Sequence, residues 1–210
     1  MTFCKKHMTS IIYITSLLLL VGLYTYFGAK VYAQTMSEDL ASKVLRFHVL
    51  ANSDTTEDQL LKENVRDAVL SYMEPKLANA ADKEESKAIL TENLDNITAV
   101  AEQIIANWGK DYSVYTELSF EEFPTKSYGD IVFPSGEYEA CRIIIGEGAG
   151  QNWWCVMFPP LCYVDAATGV VPLEGKEELK ENLTKEQYEI VAYQSEQPYQ
   201  VKFKLLEWFN

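Results

Sequence analysis

The alternation of apolar and polar residues along the chain predicts a strand, two helices and then a series of strands. Residues 43–51, KVLRFHVLA, alternate between two faces and predict the first strand. The first helix is predicted to follow, with Asp54 as its N-cap and Glu57 as the second half of a capping box. Pro75 is expected to end or kink this helix near Met73, because proline cannot donate a backbone hydrogen bond.

A second helix is predicted over residues 83–108, where apolar residues recur at steps of three and four. Gly109 suits the position just after it, because glycine accepts a left-handed backbone. Beyond Gly109 the pattern is typical of strands, with one more short helix that Thr184 and Gln187 would cap and that would reach about Tyr193. The predicted strands are residues 112–120, 138–147, 152–158 and 161–166, with 199–209 as a candidate for the last.

This order of elements predicts the α+β class. A helical pair would pack on a mainly antiparallel sheet, and the two layers would share one hydrophobic core. The length of 210 residues suits one such domain with a short appendage. We therefore expect a single domain over residues 34–210, although the order of its strands does not follow from the pattern.

The start of the chain has the layout of a segment that directs export. Basic residues precede an apolar run at residues 11–27, and Val31 and Ala33 occupy the small-residue positions of a cleavage site. The run is also near the lower limit of length for a spanning helix. Two outcomes stay open, since residues 1–33 could be a cleaved signal peptide or the apolar run could anchor the protein. In both, residues 34–210 would lie outside the cytoplasmic membrane.

The part of the chain beyond this segment is strongly acidic. Residues 34–210 hold 15 lysines and arginines against all 31 acidic residues of the chain. Such a body repels nucleic acid and anionic lipid, so we expect neither as a partner. Membrane contact would be limited to the N-terminal segment, if that segment is not cleaved. The acidity suits a basic or neutral protein partner, although it could also serve solubility alone.

The segment NWWCVMFPPLC, residues 152–162, concentrates two tryptophans, two cysteines and two prolines. A loop of residues 157–160 would make Cys155 and Cys162 direct neighbours across a hairpin, and a disulfide would then fit. Reduced or buried thiols and a pairing with Cys141 are the alternatives. The count of three cysteines beyond the N-terminal segment is odd, so one thiol would stay unpaired within the chain.

The two tryptophans of this segment must point to opposite faces of a strand, so one enters the core and the other is covered or exposed. An exposed tryptophan beside polar groups is typical of a protein contact. The hairpin is therefore either a strand buried on both faces or a docking surface with no chemistry of its own. Its candidate contact residues are Trp153, Trp154, Phe158, Pro159 and Pro160.

Polar residues of the first strand form a second candidate contact region. Arg46 and His48 share one strand face, and the strand leads into Asn52 and Asp54. These residues form either a polar cluster that contacts a partner or a buried, hydrogen-bonded histidine beside a helix cap.

The residue patterns predict no catalytic, metal or cofactor site. A cysteine nucleophile needs a nearby base, and His48 is the only histidine beyond the N-terminal segment. One histidine and widely spaced cysteines match no zinc-ligand pattern. The glycines of GEGAGQ, residues 146–151, precede a predicted strand, whereas a dinucleotide site needs a helix there. We interpret them as turn glycines.

Two segments carry a resemblance to a known family. Residues 46–70, RFHVLANSDTTEDQLLKENVRDAVL, and residues 128–165, which include IGEGAGQNWWCVMFPPLC, resemble the stage II sporulation protein R family. The closing LLEWF is similar to the end of such proteins as well. Cys141 departs from the ordinary apolar strand residue expected at its position.

The resemblance implies a signalling role in endospore-forming bacteria. Members of that family are made in the forespore and exported into the space between the two membranes around it. There they activate a membrane-embedded aspartic protease of the mother cell, which matures pro-sigma E; the family member itself is not an enzyme. Two further functions stay open: an exported cell-wall hydrolase with Asp54, Asp58 and His48 as its polar group, and a structural protein of the intermembrane space.

Overall fold

A computed structural model of the protein describes residues 2–162, 171 and 173–192. The chain divides into two compact units, Met1–Asp39 and Leu40–Asn210.

The first unit consists of the main part of one helix, α1, which spans Thr2–Lys43. Its large apolar side chains between residues 11 and 32 are exposed, and the helix is long and apolar enough to cross a membrane. It therefore fits a signal or anchor segment. The helix also includes residues 34–43. The alternation predicts no element for residues 34–42 and assigns residue 43 to the first strand.

The second unit contains the end of α1 together with strands and helices that follow one another along the chain. The strands are β1 Leu45–Leu50, β2 Val114–Phe123, β3 Lys126–Tyr128, β4 Ile131–Phe133, β5 Gly136–Ile145 and β6 Asn152–Phe158. The further helices are α2 Thr56–Leu77, α3 Lys83–Asn107, α4 Leu173–Asn182 and α5 Lys185–Ala192.

Four strands form one sheet in the order β2-β5-β1-β6, while β3 and β4 form a separate two-stranded ribbon. β1 is parallel to β5, whereas β1–β6 and β2–β5 are antiparallel. The sheet is mainly antiparallel and carries a helical pair, so the predicted α+β class is confirmed. β1 lies inside the sheet although it is the first strand, and α2, α3 and β2 supply the long connection that a parallel pair needs.

Helices α2 and α3 cover one face of the sheet, the helix face. On that face Arg66 of α2 lies 4.0 Å from the ring centroid of Trp153, and Lys83 and Lys87 of α3 pair with Glu139. Burial of each large apolar side chain between the layers contributes about 1.5–3 kcal/mol. The opposite face, named the open face, carries the alternate residues of every strand. It is partly exposed at Glu117, Arg142 and Trp154, whereas Arg46, Ala140 and Val156 on it are buried. Side chains of the core without exposed surface include Phe47, Val49, Leu61, Val65, Leu90, Ile97 and Ile143.

The start of α2 differs from the prediction by one residue. Thr55 is the N-cap, and its side chain accepts a hydrogen bond from the Asp58 N–H at 3.2 Å. Thr55 has the extended backbone that a cap requires, with φ −63° and ψ 148°. The capping box of Asp54 and Glu57 is therefore wrong, and Asp54 is exposed.

The end of α2 also differs, because the helix passes through Pro75 and ends at Leu77. The predicted end of the helix near Met73 is therefore wrong. Pro75 lies in the last turn, where its missing N–H removes only one helical hydrogen bond. The helical hydrogen bonds continue after Pro75, since the Ala78 N–H donates to the Glu74 carbonyl at 3.0 Å.

Other predicted caps and turns are confirmed. Gly109 follows α3 with a φ of +70°. The Thr184 side chain accepts from the Gln187 N–H at 3.3 Å, and the Gln187 side chain accepts from the Thr184 N–H at 2.8 Å, which completes the predicted capping box. The turn glycines Gly146 and Gly148 have φ of +57° and +60°, and β6 follows them.

The elements that sequence reasoning missed are short. β3 and β4 have three residues each, too few for alternation to stand out. α4 was not predicted either. Leu161 and Cys162 are not in a strand, and the other residues of the predicted strands 161–166 and 199–209 lie outside the described residues, as does Tyr193.

Candidate functional site

Four side chains line up across the open face, one from each strand of the sheet. The register pairs Glu117 of β2 with Arg142 of β5. It pairs Arg142 with His48 of β1, and His48 with Trp154 of β6. Because opposite residues of neighbouring strands lie on the same face, these side chains form a continuous row, the open-face row.

His48 is held from three sides and is only 7 % exposed. Its Nδ1 lies 2.5 Å from Glu121 Oε2, and its Nε2 lies 3.0 Å from Asn152 Oδ1. The ring stacks on Trp154 with centroids 5.4 Å apart. Glu121 and Asn152 thus hold the two ring nitrogens of His48 at the same time, and which nitrogen donates depends on the tautomer.

Arg142 links the two carboxylates of β2 on the open face. Its Nη1 donates to Glu117 Oε1 at 3.3 Å, and its Nε lies 2.7 Å from Glu121 Oε1 in an ion pair without hydrogen-bond alignment. The Arg142 and Glu117 side chains are 29 % and 28 % exposed. Ion pairs this exposed contribute at most about 1 kcal/mol to stability. Their main effect is to fix charged groups at a surface that a partner can reach.

Trp154 is the aromatic member of the open-face row and is half-buried. Its ring lies between His48 and Lys126, whose Nζ is 4.2 Å from the ring centroid. Lys126 belongs to β3, so the β3–β4 ribbon approaches the row at this point. The sequence prediction that the two tryptophans face opposite sides is confirmed, because Trp153 contacts Arg66 on the helix face.

Arg46 is a predicted contact residue that the structure buries completely. Its Nη2 donates to Tyr128 Oη at 2.9 Å, while Nε and Nη1 have no hydrogen-bond partner among the described residues. Burial lowers the pKa of Arg46, and the phenols of Tyr128 and Tyr138 offset part of this effect. Arg46 is therefore an internal residue, and its assignment to a contact surface is wrong. Aromatic ring centroids lie 4.4–5.7 Å from its guanidinium carbon, in Phe123, Tyr138, Phe133 and Tyr128.

The end of β6 is more buried than a docking tip would be. Phe158 is 3 % exposed and Pro159 is buried as well, whereas Pro160 is half-buried. Phe158 and Pro159 pack in the core, so their assignment to the contact surface is wrong. Cys155 and Cys162 form a disulfide with Cα atoms 5.2 Å apart, which is the first of the three arrangements that the sequence leaves open.

The third cysteine is a buried free thiol on the helix face. Cys141 pairs in register with Phe47 of β1. Burial raises the pKa of Cys141 to about 12, so the reactive thiolate is suppressed.

A polar network joins the loop after β1 to the turn before β6. Asn52 Oδ1 accepts from the Glu147 N–H at 3.1 Å, and its Nδ2 donates to Asp58 Oδ2 at 2.9 Å. Ser53 Oγ donates to the same carboxylate oxygen at 2.5 Å. A Cβ at Gly150 would lie 2.2 Å from the Ser53 carbonyl oxygen, so this close approach requires glycine. Asn52 thus holds two loops together, and Asp58, rather than Asp54, is its acidic partner.

Asp58 and Lys62 are the buried charges of this network. Burial by itself would raise the pKa of Asp58, but hydrogen bonds from Ser53 and Asn52 lower it below its usual value. Burial lowers the pKa of Lys62, whose Nζ donates to the Gln151 carbonyl at 3.1 Å. Among the described residues no hydrogen bond or ion pair joins this network to His48. The polar group of the hydrolase alternative is thus split between two clusters.

Sequence reasoning missed the partners of His48 on the open face. Glu117 and Glu121 are four residues apart in β2, so alternation places them on one face. Arg142 is the only basic residue of β5 and lies between Cys141 and three isoleucines. A lone arginine in such a strand needs a carboxylate, which was a usable signal. The sequence carries no such signal for Asn152 and Lys126. Asn152 reaches His48 through the strand register, and Lys126 reaches Trp154 because it lies on the β3–β4 ribbon.

The residues of the open-face row lie within the part of the chain that matches a known family. Residues 41–168 match the family model described as stage II sporulation protein R, and the chain belongs to this family of sporulation proteins. A curated relative is Stage II sporulation protein R of Bacillus subtilis (strain 168), which is 36 % identical over 183 residues. That match covers 81 % of this chain and 82 % of the relative. No solved structure matches the chain.

Proposed function

We propose that this protein is an exported sporulation signal that activates a membrane-embedded aspartic protease of the mother cell by binding to it. The protein crosses the forespore membrane into the intermembrane space, and the activated protease then matures pro-sigma E. The protein itself contributes no catalytic group to this reaction.

Family membership and the apolar N-terminal helix support the sporulation role and the export. The helix fits either a leader that is removed or an anchor that is kept. In both cases the strand-rich unit lies outside the cytoplasm, where an extracytoplasmic part of a membrane protease is within reach.

The observation that carries the proposal is the open-face row. It places a half-buried tryptophan beside Lys126 and the partly exposed ion pair of Arg142 and Glu117. Tryptophan and arginine dominate the energetics of protein contacts, and fixed charges beside them select the partner. Since His48 and Glu121 hold this group in place before any partner arrives, little ordering entropy is lost on binding.

Binding activates the protease only if the affinity differs between its inactive and active arrangements. A ligand with equal affinity for both would shift nothing, however tightly it bound. The open-face row therefore has to contact a part of the protease that changes on activation.

The test is a reconstitution in a non-sporulating bacterium that makes the full chain, the protease and the pro-sigma substrate. Trp154→Ala removes the half-buried ring of the row, while Trp153→Ala removes its neighbour on the helix face and serves as the matched control. We expect processing of the substrate to require the wild-type chain and to fall at least about tenfold in Trp154→Ala, as for a central contact residue.

Circular dichroism and trypsin resistance would establish that both variants fold. No processing by a folded wild-type chain in the right compartment would contradict the proposed function. Equal processing by folded Trp154→Ala would leave the function standing and remove the open-face row as its docking surface.

A further inference from the structure

β2 forms one edge of the four-stranded sheet. All ten of its residues pair with β5 in an uninterrupted register, from Val114 opposite Ile145 to Phe123 opposite Gly136. No strand of the described residues lies along its other side. β2 is therefore a ten-residue strand, and among the described residues one row of its backbone hydrogen-bonding groups has no strand partner.

The hydrogen-bond pattern shows which residues carry this free row. The Gly146 N–H donates to the Ser113 carbonyl at 2.8 Å, which makes Ser113 and Gly146 a hydrogen-bonded pair at the start of the ladder. Hydrogen-bonded and non-hydrogen-bonded pairs alternate along an antiparallel ladder. The residues that point their backbone N–H and C=O outward are thus Val114, Thr116, Leu118, Phe120 and Glu122.

The features of this edge that oppose strand addition are acidic only. Natural edge strands carry charged side chains, above all lysine, or proline or a bulge to prevent pairing with other chains. The charges of β2 are three glutamates, which repel an acidic segment and accept a basic one. β2 contains no lysine, arginine or proline and its register has no bulge. Tyr115 and Phe120 are 58 % and 62 % exposed, so two aromatic side chains flank the free row.

The same edge holds two unpaired acidic groups side by side. Glu122 lies directly opposite Glu137 of β5, and both are exposed. This is a non-hydrogen-bonded pair, the kind in which opposite side chains come closest. Like charges directly opposite are destabilising, and no ion pair of the described residues involves either carboxylate. A cation on a neighbouring strand would relieve this repulsion.

We propose that the free edge of β2 binds an extended segment of a partner protein by strand addition. The segment places a lysine or arginine opposite Glu122 and an apolar side chain two residues away, opposite Phe120. A second copy of β2 cannot supply that cation, because the strand has no basic residue. The proposal concerns the backbone edge of β2, whereas the open-face row uses the side chain of Glu117 on the same strand, and it does not depend on the identity of the partner.

The test measures binding of a labelled peptide, acetyl-Thr-Lys-Thr-Val-Thr-Val-Thr-amide, to the full chain in uncharged lipid nanodiscs by fluorescence anisotropy. In antiparallel addition its lysine meets Glu122 and its first valine meets Phe120. Phe120→Pro removes one outward N–H and leaves the β2–β5 ladder intact. Phe120→Ala is the matched control, since it shortens the side chain and keeps that N–H.

We expect Phe120→Pro to weaken binding about tenfold and Phe120→Ala by no more than about threefold, because a backbone hydrogen bond is lost only in the first. Replacing the peptide lysine by glutamate should weaken binding about fivefold, and Glu122→Lys should reverse this preference. Near-ultraviolet circular dichroism would check that each variant folds.

Three results would overturn the proposal. The first is absence of binding to the folded wild-type chain. The second is equal binding by Phe120→Pro and Phe120→Ala, which would place the peptide elsewhere. The third is a dimer of the full chain that Phe120→Pro dissociates, which would assign the edge to a second copy. None of these results affects the processing reconstitution, so the two proposals fail separately.

Discussion

At the scale of single residues, the burial of Arg46 carries an electrostatic cost that its surroundings offset only in part. Each aromatic ring over a cation contributes about 0.5–2 kcal/mol, and four rings lie within 6 Å of this guanidinium. Its Nε and Nη1 nevertheless lack hydrogen-bond partners among the described residues. The volume of the side chain therefore contributes to stability more than its charge does.

This balance predicts opposite outcomes for two substitutions of Arg46. Arg46→Met keeps the length and contacts the rings through sulfur, so we expect the free energy of unfolding to change by less than about 1 kcal/mol. Arg46→Ala leaves a cavity and should lower it by about 3 kcal/mol. Urea unfolding of both variants measures the difference. An equal loss in both would mean that the charge has an acidic partner.

The ion pair between sheet and helix predicts a pH dependence at Glu139. Burial alone would raise the pKa of Glu139, but the hydrogen bond from Lys87 and the charge of Lys83 lower it below its usual value. A lowered pKa in the folded state stabilises the protein above the unfolded-state pKa of about 4.3. That contribution is lost as the pH falls through the folded-state value.

Glu139→Gln should therefore lower the free energy of unfolding by about 2 kcal/mol at neutral pH, less than for a fully buried pair because Lys87 is partly exposed. The difference from wild type should shrink as the pH falls below about 4. Urea unfolding over a pH series measures it. A difference that stays constant with pH would show that packing, and not charge, accounts for the effect.

At the scale of elements, the disulfide fixes the end of β6 against the turn that follows it. It joins Cys155, inside the strand, to Cys162, which is seven residues later and outside any strand. A closed loop this short lowers the conformational entropy of the unfolded chain only modestly. The bridge also holds the buried residues Phe158 and Pro159 in place, and these connect the sheet to the rest of the core.

Cys155→Ser/Cys162→Ser should lower the free energy of unfolding by about 2 kcal/mol, the value for closing a loop of about eight residues. Thermal unfolding with and without reductant measures this loss. Reductant should lower the melting temperature of the wild type and leave that of the double variant unchanged. A wild type that is insensitive to reductant would contradict a stabilising bridge.

Element type was predictable from local pattern, whereas element neighbours were not. The periodicity of α3 and the glycine after it, the capping box of α5 and the extent of β6 were all visible in the sequence. The boundaries of α2 were not, because the packing of its last turn against the core outweighs the bond lost at Pro75. The parallel pairing of β1 with β5 involves residues about ninety positions apart, and no local pattern records it.

The same limit applies to the candidate site. His48 and Trp154 could be singled out from the sequence as candidates, because a histidine in a strand and paired tryptophans are unusual locally. Glu121, Asn152 and Lys126 reach them from three different strands. Arg46 was misjudged because a charged side chain is rarely buried without an acidic partner, and the four rings that surround it come from distant strands.

At the scale of the whole molecule, the second unit has a central strand that comes from its first residues. β1 pairs with β5 on one side and β6 on the other. Both neighbours come from residues 136–158, so most of the chain has to be present before β1 gains either partner. Phe47 and Val49 reach zero exposure only inside this arrangement.

A chain that stops after Phe133 should therefore fail to fold, although it contains α2 and α3 entire. Without β5 and β6, β1 has no backbone partners and the helices have no sheet to cover. Limited proteolysis should cut it near β1, while the full chain stays protected there. A protease-resistant core in the shortened chain would show that the helical pair is stable by itself.

The central position of β1 also has a consequence for the proposed export of the protein. A chain threaded through a membrane passes as an extended polymer, and its sheet can close only when residues 45–158 are all on the same side. Until then the open-face row does not exist, since its four members come from four strands. Under the proposed function, a half-translocated chain lacks this docking surface, so activation of the protease would report completed transport of the protein and not its synthesis alone.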